Sequence, residues 1–94
     1  MNTIEKIRKK IDQTDHKLIK LLDKRMNYAY QIGKIKGKNG LPILVQDREK
    51  EIYDSLKNIN LSHITDNELL HLFKEIIKLG RKHGELGKME HNKI

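Results

Sequence analysis

The chain has 94 residues, of which 36% are hydrophobic and only 4% aromatic, so we expect one domain spanning residues 1–94 with a thin aliphatic core. The absence of cysteine excludes disulfides and thiolate metal sites, and no apolar run is long enough for a membrane span or shaped like a signal peptide. A cytoplasmic protein is the expectation, and its formal charge of +7 suits nucleic acid, an anionic small molecule or solubility alone.

A long amphipathic helix is predicted from Thr3 to Lys38. Asn2 or Thr3 can cap its start, and the glycine-containing cluster at residues 37–40 ends it. Apolar residues recur at steps of three, four and seven, as on one helical face: Ile4, Ile7, Ile11, Leu18, Leu22, Ala29 and Ile32. Such a helix is roughly 50 Å long, whereas a compact chain of this size has a radius of gyration of about 12–13 Å. We therefore expect an oligomer, most simply a two-fold homodimer.

Three cationic side chains lie in or beside this apolar face. Arg25 and Lys36 fall near its centre at about 100° per residue, and Arg8 lies at its edge. A cation on an apolar face is costly unless an anion meets it. Each one could pair with a carboxylate of the fold or extend to water. As a set, they favour an enclosed anion-binding site.

A second helix is predicted to begin at residues 45–47 and to end near residue 57. Its apolar positions are Val45, Ile52, Leu56 and Ile59. Glu49 shares their face, so a carboxylate is turned to the core, and Arg48 flanks it. Two interpretations stay open: Glu49 pairs with Arg25 or Lys36, or it accepts a hydrogen bond from a ligand hydroxyl while the cations bind ligand carboxylates.

A third helix is predicted to begin at the capping box Thr65-Asp66-Asn67-Glu68. Its apolar face comprises Leu69, Phe73, Ile76 and Ile77 and continues to two glycines. These glycines, Gly80 and Gly84, either let another helix approach closely or leave space for a ligand, and both weaken the last turns. We expect the tail, residues 88–94, to be frayed.

The sequence contains no pattern typical of a metal site or of a nucleophilic catalytic triad. The five histidines form no pair at the i,i+4 spacing, and there is no cysteine, so neither a metal site nor another cofactor is expected. The serines, Ser55 and Ser62, have no histidine at a spacing that suggests a catalytic triad.

The ordered spacing of these residues resembles that of the all-helical class of chorismate mutases. The similarity covers about Ile4 to Leu86, nearly the whole chain. It rests on the segments Ile7-Arg8-Lys9-Lys10-Ile11-Asp12, Asp15, Leu21-Leu22-Asp23-Lys24-Arg25, Ile32-Gly33-Lys34-Ile35-Lys36, Pro42-Ile43 and Asp47-Arg48-Glu49-Lys50-Glu51-Ile52.

The resemblance implies an all-α, intertwined homodimeric bundle with three helices per chain. Each site would be built mostly from one chain, with Arg8 reaching in from the other. By analogy, Arg8 and Arg25 hold the two carboxylates of the substrate. Lys36 binds its ether oxygen and a neighbouring carboxylate, Arg48 supports the site, and Glu49 accepts a hydrogen bond from the ring hydroxyl. The implied reaction is a rearrangement within one molecule that uses no cofactor.

Three positions depart from the family pattern. Val45 stands where the family usually has an aspartate. Gly84, eleven residues after Phe73, stands where it usually has a glutamine that donates to the ether oxygen, and Gly80 replaces a common serine. Loss of a donor at a developing charge can lower the rate on the order of 10²–10³-fold. We nevertheless assign these three positions to the lining of the site.

Three other functions are consistent with parts of the sequence. An isochorismate pyruvate lyase also lacks the aspartate and has a segment similar to Arg25-Met26-Asn27-Tyr28, but Glu49 follows the mutase pattern. A weakly active or regulatory mutase-like domain fits the missing glutamine. A helical nucleic-acid-binding module fits the charge, but no known DNA or RNA module is visible and three cations face inward.

Overall fold

The structure, a computed structural model, describes residues 2–91. They form three α-helices and no strand: α1 (Thr3–Asn39), α2 (Gln46–Leu56) and α3 (Asp66–His91). The predicted all-α class with three helices is therefore confirmed for this part of the chain. None of the described helices is long and apolar enough to cross a membrane.

The ends of α1 lie where local chemistry predicts them. The Ile4 N–H donates to Oδ1 of Asn2 at 2.8 Å, which caps the helix. At the other end Gly40 adopts a left-handed conformation with φ of 66°, which glycine tolerates without strain. The Leu41 N–H then closes the last turn onto the Lys36 carbonyl at 2.8 Å.

The start of α3 is the predicted capping box. The Thr65 N–H donates to Glu68 Oε1 at 2.9 Å, and the Glu68 N–H donates to Thr65 Oγ1 at 3.1 Å. The pKa of the Glu68 carboxyl is lowered. The larger cause is its hydrogen bond with the Thr65 backbone N–H, and the smaller is its hydrogen bond with the Thr65 hydroxyl.

The tail predicted to be frayed is helical as far as it is described. Residues 88–91 continue α3, and residues 92–94 lie outside the described part of the chain. Two contacts hold these turns: Gly87 packs against the Tyr30 carbonyl of α1, and Lys88 Nζ donates to the Leu41 carbonyl at 3.0 Å. Tertiary contacts thus offset the low helix propensity of glycine.

The second half of α1 packs closely against α3. A Cβ added at Gly33 would overlap the carbonyl of Gly84, and one added at Gly87 would overlap the carbonyl of Tyr30. Glycine is therefore required where the two backbones approach. The buried apolar side chains of the described residues form a small core and are Met26, Leu56, Leu69 and Ile77.

The second helix contributes less to the core than the sequence predicts. Leu56 is buried and Ile52 is half-buried, but Val45 and Ile59 are exposed because they lie outside the helix bounds.

The first half of α1 extends away from the rest of the chain. Every residue from Asn2 to Leu21 is exposed. The chain measures 57 × 29 × 14 Å, with a radius of gyration of 17.1 Å, well above the value of about 12–13 Å expected for a compact chain. Several large apolar side chains are more than half exposed, including Ile4, Ile7, Ile11, Leu18 and Leu21. A single chain thus leaves this apolar face uncovered.

Candidate active site

A cleft of about 140 Å³ lies between the second half of α1, the connector to α2, α2 itself and the middle of α3. It opens to solvent and is lined by Arg25, Ala29, Ile32, Gly33, Lys36, Ile43, Val45, Arg48, Glu49, Ile52, Ile77, Gly80, Arg81 and Gly84. Seven of the eight residues predicted from the sequence as site residues are among them. The eighth, Arg8, is not.

Two cations come from α1. Arg25 and Lys36 are eleven residues apart, about three turns, so their side chains lie on the same face of the helix. Arg25 is half-buried, and its pKa is lowered by burial and then by the nearby charge of Arg48. Lys36 Nζ donates to the Ile43 carbonyl at 3.1 Å. No carboxylate pairs with either cation within residues 2–91, so both charges remain available to an anion.

The remaining predicted charges come from the first turn of α2. Arg48 forms a loose contact with Glu51 at 3.7 Å, and both side chains are about two-thirds exposed, at 67% and 68%. Glu49 is only 19% exposed and pairs with Arg81 of α3 at 2.9 Å.

Arg81 is a cleft residue that sequence reasoning missed. Of the two interpretations left open for Glu49, the pairing with Arg25 or Lys36 is not found among the described residues. Because α2 packs on α3, Glu49 meets a side chain 32 positions later in the chain. The sequence contained one indication that Arg81 lines the cleft. Arg81 follows buried Ile77 by four residues, which places it at the edge of the apolar face of α3.

Three uncharged positions shape the cleft. A Cβ at Gly80 would lie 3.1 Å from Nη1 of Arg25, so the glycine leaves room for the guanidinium. Gly84 is buried, and a Cβ there would lie 3.1 Å from Cγ2 of Ile43. Gly84 therefore lines the cleft, whereas the close approach of α1 depends on Gly33, because a Cβ at Gly84 would lie at an ordinary 3.7 Å from the nearest α1 atom, the Ala29 carbonyl oxygen. Val45 precedes α2 as its N-cap and supplies an apolar wall.

Arg8 lies far from the cleft of its own chain. It is seventeen residues before Arg25 on the same helix, which corresponds to about 25 Å along the axis. It is exposed on the uncovered half of α1.

The electrostatics of the cleft suit a small polyanion. Four cations and one carboxylate line it, which leaves a net formal charge of +3. The apolar walls reduce the screening of these charges by water. The described residues contain no cluster of three histidine or acidic side chains that could hold a metal ion. What the cleft offers is several cationic donors and one carboxylate acceptor around a confined space.

Comparisons with known proteins agree on one family. The family model described as chorismate mutase type II matches residues 7–85. The chain is 36% identical over 76 residues to the chorismate mutase of Methanocaldococcus jannaschii, covering 80% of this chain and 77% of that protein. It is also 36% identical over 81 residues to a bifunctional chorismate mutase/prephenate dehydratase of Aquifex aeolicus. That match covers 82% of this chain but only 22% of the bifunctional protein.

Among solved structures, the chain is similar to a chorismate mutase from Helicobacter pylori that was crystallised in complex with prephenate. The TM-score is 0.83 at 34% sequence identity, and the match covers 93% of this chain and 94% of the other. Similarity in sequence and similarity in fold therefore each cover most of this chain.

Proposed function

Because the chain belongs to the chorismate mutase type II family, we propose that it rearranges chorismate to prephenate, a step in phenylalanine and tyrosine biosynthesis. The observation that carries the proposal is the cationic cleft in which Arg25 and Lys36 have no carboxylate partner among the described residues. The relatives named chorismate mutase and the neighbour that binds prephenate support the choice of a dicarboxylate with this skeleton. The cytoplasmic location is part of the same proposal.

The proposed reaction breaks a C–O bond and forms a C–C bond within one molecule, so no atom enters or leaves. Catalysis then consists of holding a flexible enol-pyruvyl side chain over the ring and stabilising the negative charge that grows on the ether oxygen. We assign Arg8 and Arg25 to the two carboxylates and Lys36 to the ether oxygen. Arg48 supports them, and Glu49 accepts the hydrogen bond of the ring hydroxyl.

The assignment of Arg8 requires a second chain. The uncovered apolar face on the first half of α1 supports a homodimer in which two such faces cover each other. In that arrangement, Arg8 of one protomer extends into the cleft of its partner. The site is then shared between chains, as the family resemblance implies.

An assay with two substrates tests the function. Purified protein is incubated separately with chorismate and with isochorismate, and prephenate, pyruvate and salicylate are followed by chromatography. We expect prephenate from chorismate. Pyruvate and salicylate from isochorismate would instead identify a lyase. Binding of prephenate without turnover of either substrate would identify a regulatory domain, which the absence of a side-chain donor at Gly84 would explain.

A further inference from the structure

The wall of the cleft that α3 forms has an unusual composition. It consists of Ile77, Gly80, Arg81 and Gly84. Three of these residues carry no polar side-chain group, so within the described chain Arg81 is the only side-chain hydrogen-bond donor that α3 offers to the cleft. A polar side-chain contact between this chain's α3 and a molecule in the cleft therefore comes from this residue.

The guanidinium of Arg81 is held in place by two hydrogen bonds. Its Nε lies 2.9 Å from Oε2 of Glu49, and its Nη2 lies 3.1 Å from Oε1. This fork uses two of the five N–H groups and leaves three, among them both hydrogens of Nη1. The Arg48–Glu51 contact is a single, exposed one at 3.7 Å, so it fixes Arg48 far less.

Arg81 also changes the electrostatics around Glu49. A lone carboxylate in the cleft would repel a dianionic substrate, whereas the Arg81–Glu49 pair has no net charge. The pair leaves the attraction of Arg25, Lys36 and Arg48 intact. Moreover, the planar fork of a guanidinium matches the geometry of a carboxylate.

From these observations we propose that Arg81 is a substrate-binding residue, which donates hydrogen bonds from Nη1 to a carboxylate of the substrate while Glu49 fixes its guanidinium. The proposal rests on the proposed mutase function. Arg81 thereby supplies a charged contact from α3, where Gly80 and Gly84 offer no side-chain donor.

Substitution of Arg81 tests the contact. In Arg81→Ala we expect KM for chorismate to rise, and the affinity for prephenate measured by calorimetry to fall, each by about tenfold or more. The turnover number changes less, because substrate and transition state carry the same carboxylate. Lys82→Ala is the matched control, since Lys82 is an exposed cation on the same helix that does not line the cleft, and both constants should stay at their wild-type values.

A double-mutant cycle separates direct contact from an effect through Glu49. Prephenate affinity is measured for Glu49→Ala, which removes the carboxylate that Arg81 could orient, with and without Arg81→Ala. We expect a further loss of several-fold on removing Arg81. If there is none, Arg81 acts only by orienting Glu49 and the direct contact is refuted. If Arg81→Ala binds prephenate more tightly than wild type, Arg81 blocks the cleft, which also overturns the proposal.

Two further outcomes, an unfolded variant and an inactive wild-type protein, are interpreted separately. Should Arg81→Ala lose its helical circular dichroism signal, Arg81→Gln serves in its place, because it keeps two methylene groups of the side chain and a shorter, uncharged donor, and it should show a loss of the same kind. A wild-type protein that neither converts chorismate nor binds prephenate overturns the proposed function itself, whatever the variants do.

Discussion

At the scale of single residues, Arg25 has the least favourable surroundings of the predicted cations. It is half-buried, its pKa is lowered by burial and by Arg48, and no described carboxylate pairs with it. Gly80 leaves it room on the α3 side. An arginine that served stability alone would have a partner, so this arrangement favours binding of an anion over support of the fold.

We therefore expect Arg25→Met to separate activity from stability. The variant should lose on the order of 10²-fold or more in kcat/KM, because a charged contact to the substrate disappears. Its melting temperature should not fall, since methionine fills similar space without the desolvation and the repulsion from Arg48. Circular dichroism melts and steady-state kinetics measure the two effects.

The control for this substitution is Lys20→Met, which removes a cation from the exposed outer face of α1 and should leave kcat/KM within about twofold of wild type, as surface substitutions usually do. A drop in the melting temperature of Arg25→Met with kcat/KM preserved would show that Arg25 has a structural role.

At the scale of elements, the crossing of α1 and α3 determines the shape of the cleft. Gly33 meets the backbone of Gly84, whereas Gly84 itself faces the side chain of Ile43. The two glycines lie at the same crossing, but a methyl group added to each would meet different neighbours. A backbone carbonyl within a helix cannot move aside, whereas an isoleucine side chain can shift by a few tenths of an ångström.

This asymmetry predicts different effects of alanine at the two positions. Gly33→Ala should lower the free energy of unfolding by about 1–3 kcal/mol or more, because the methyl group forces the helices apart. Gly84→Ala should stay within about 1 kcal/mol of wild type, since gained helix propensity offsets the crowding of Ile43. Urea unfolding at one fixed protein concentration measures both. Equal losses would mean that the helices do not cross at Gly33 as described.

Local signals were sufficient to predict where α1 begins and ends and where α3 begins. Asn2, the glycine-containing cluster at residues 37–40 and the Thr65–Glu68 capping box act within a few residues of themselves. The predicted α1, Thr3 to Lys38, accordingly ends one residue before the observed helix. The frayed tail was predicted wrongly for residues 88–91 because contacts of Gly87 and Lys88 with distant residues hold those turns.

At the scale of the whole molecule, the extended shape and the distant Arg8 have one explanation. Residues 2–21 are exposed along an apolar face, and Arg8 is about 25 Å along the helix from Arg25. In the proposed homodimer, a second chain covers this face, buries its apolar side chains and supplies an Arg8 to each cleft. The proposed homodimer thus accounts for both features.

Shared sites make a specific prediction for mixed dimers. Arg8→Ala and Arg25→Ala should each be inactive alone. After subunit exchange, one site of a mixed dimer has both arginines, so a 1:1 mixture should recover about a quarter of wild-type activity if half of the dimers are mixed. Kinetics measure the recovery, and native mass spectrometry of size-tagged chains measures the exchange. A folded monomer in sedimentation equilibrium, or no recovery despite exchange, would contradict the shared site.

The sequence by itself determined the three helices and placed most of the cleft residues on their inner faces. Helix periodicity and caps act locally, so Arg25, Lys36 and Glu49 could be assigned to apolar faces before any packing was known. Only the tertiary structure decided which charges meet. Glu49 pairs with Arg81, 32 positions away, because the packing of α2 on α3 sets that distance and no local pattern encodes the rotation of one helix against another.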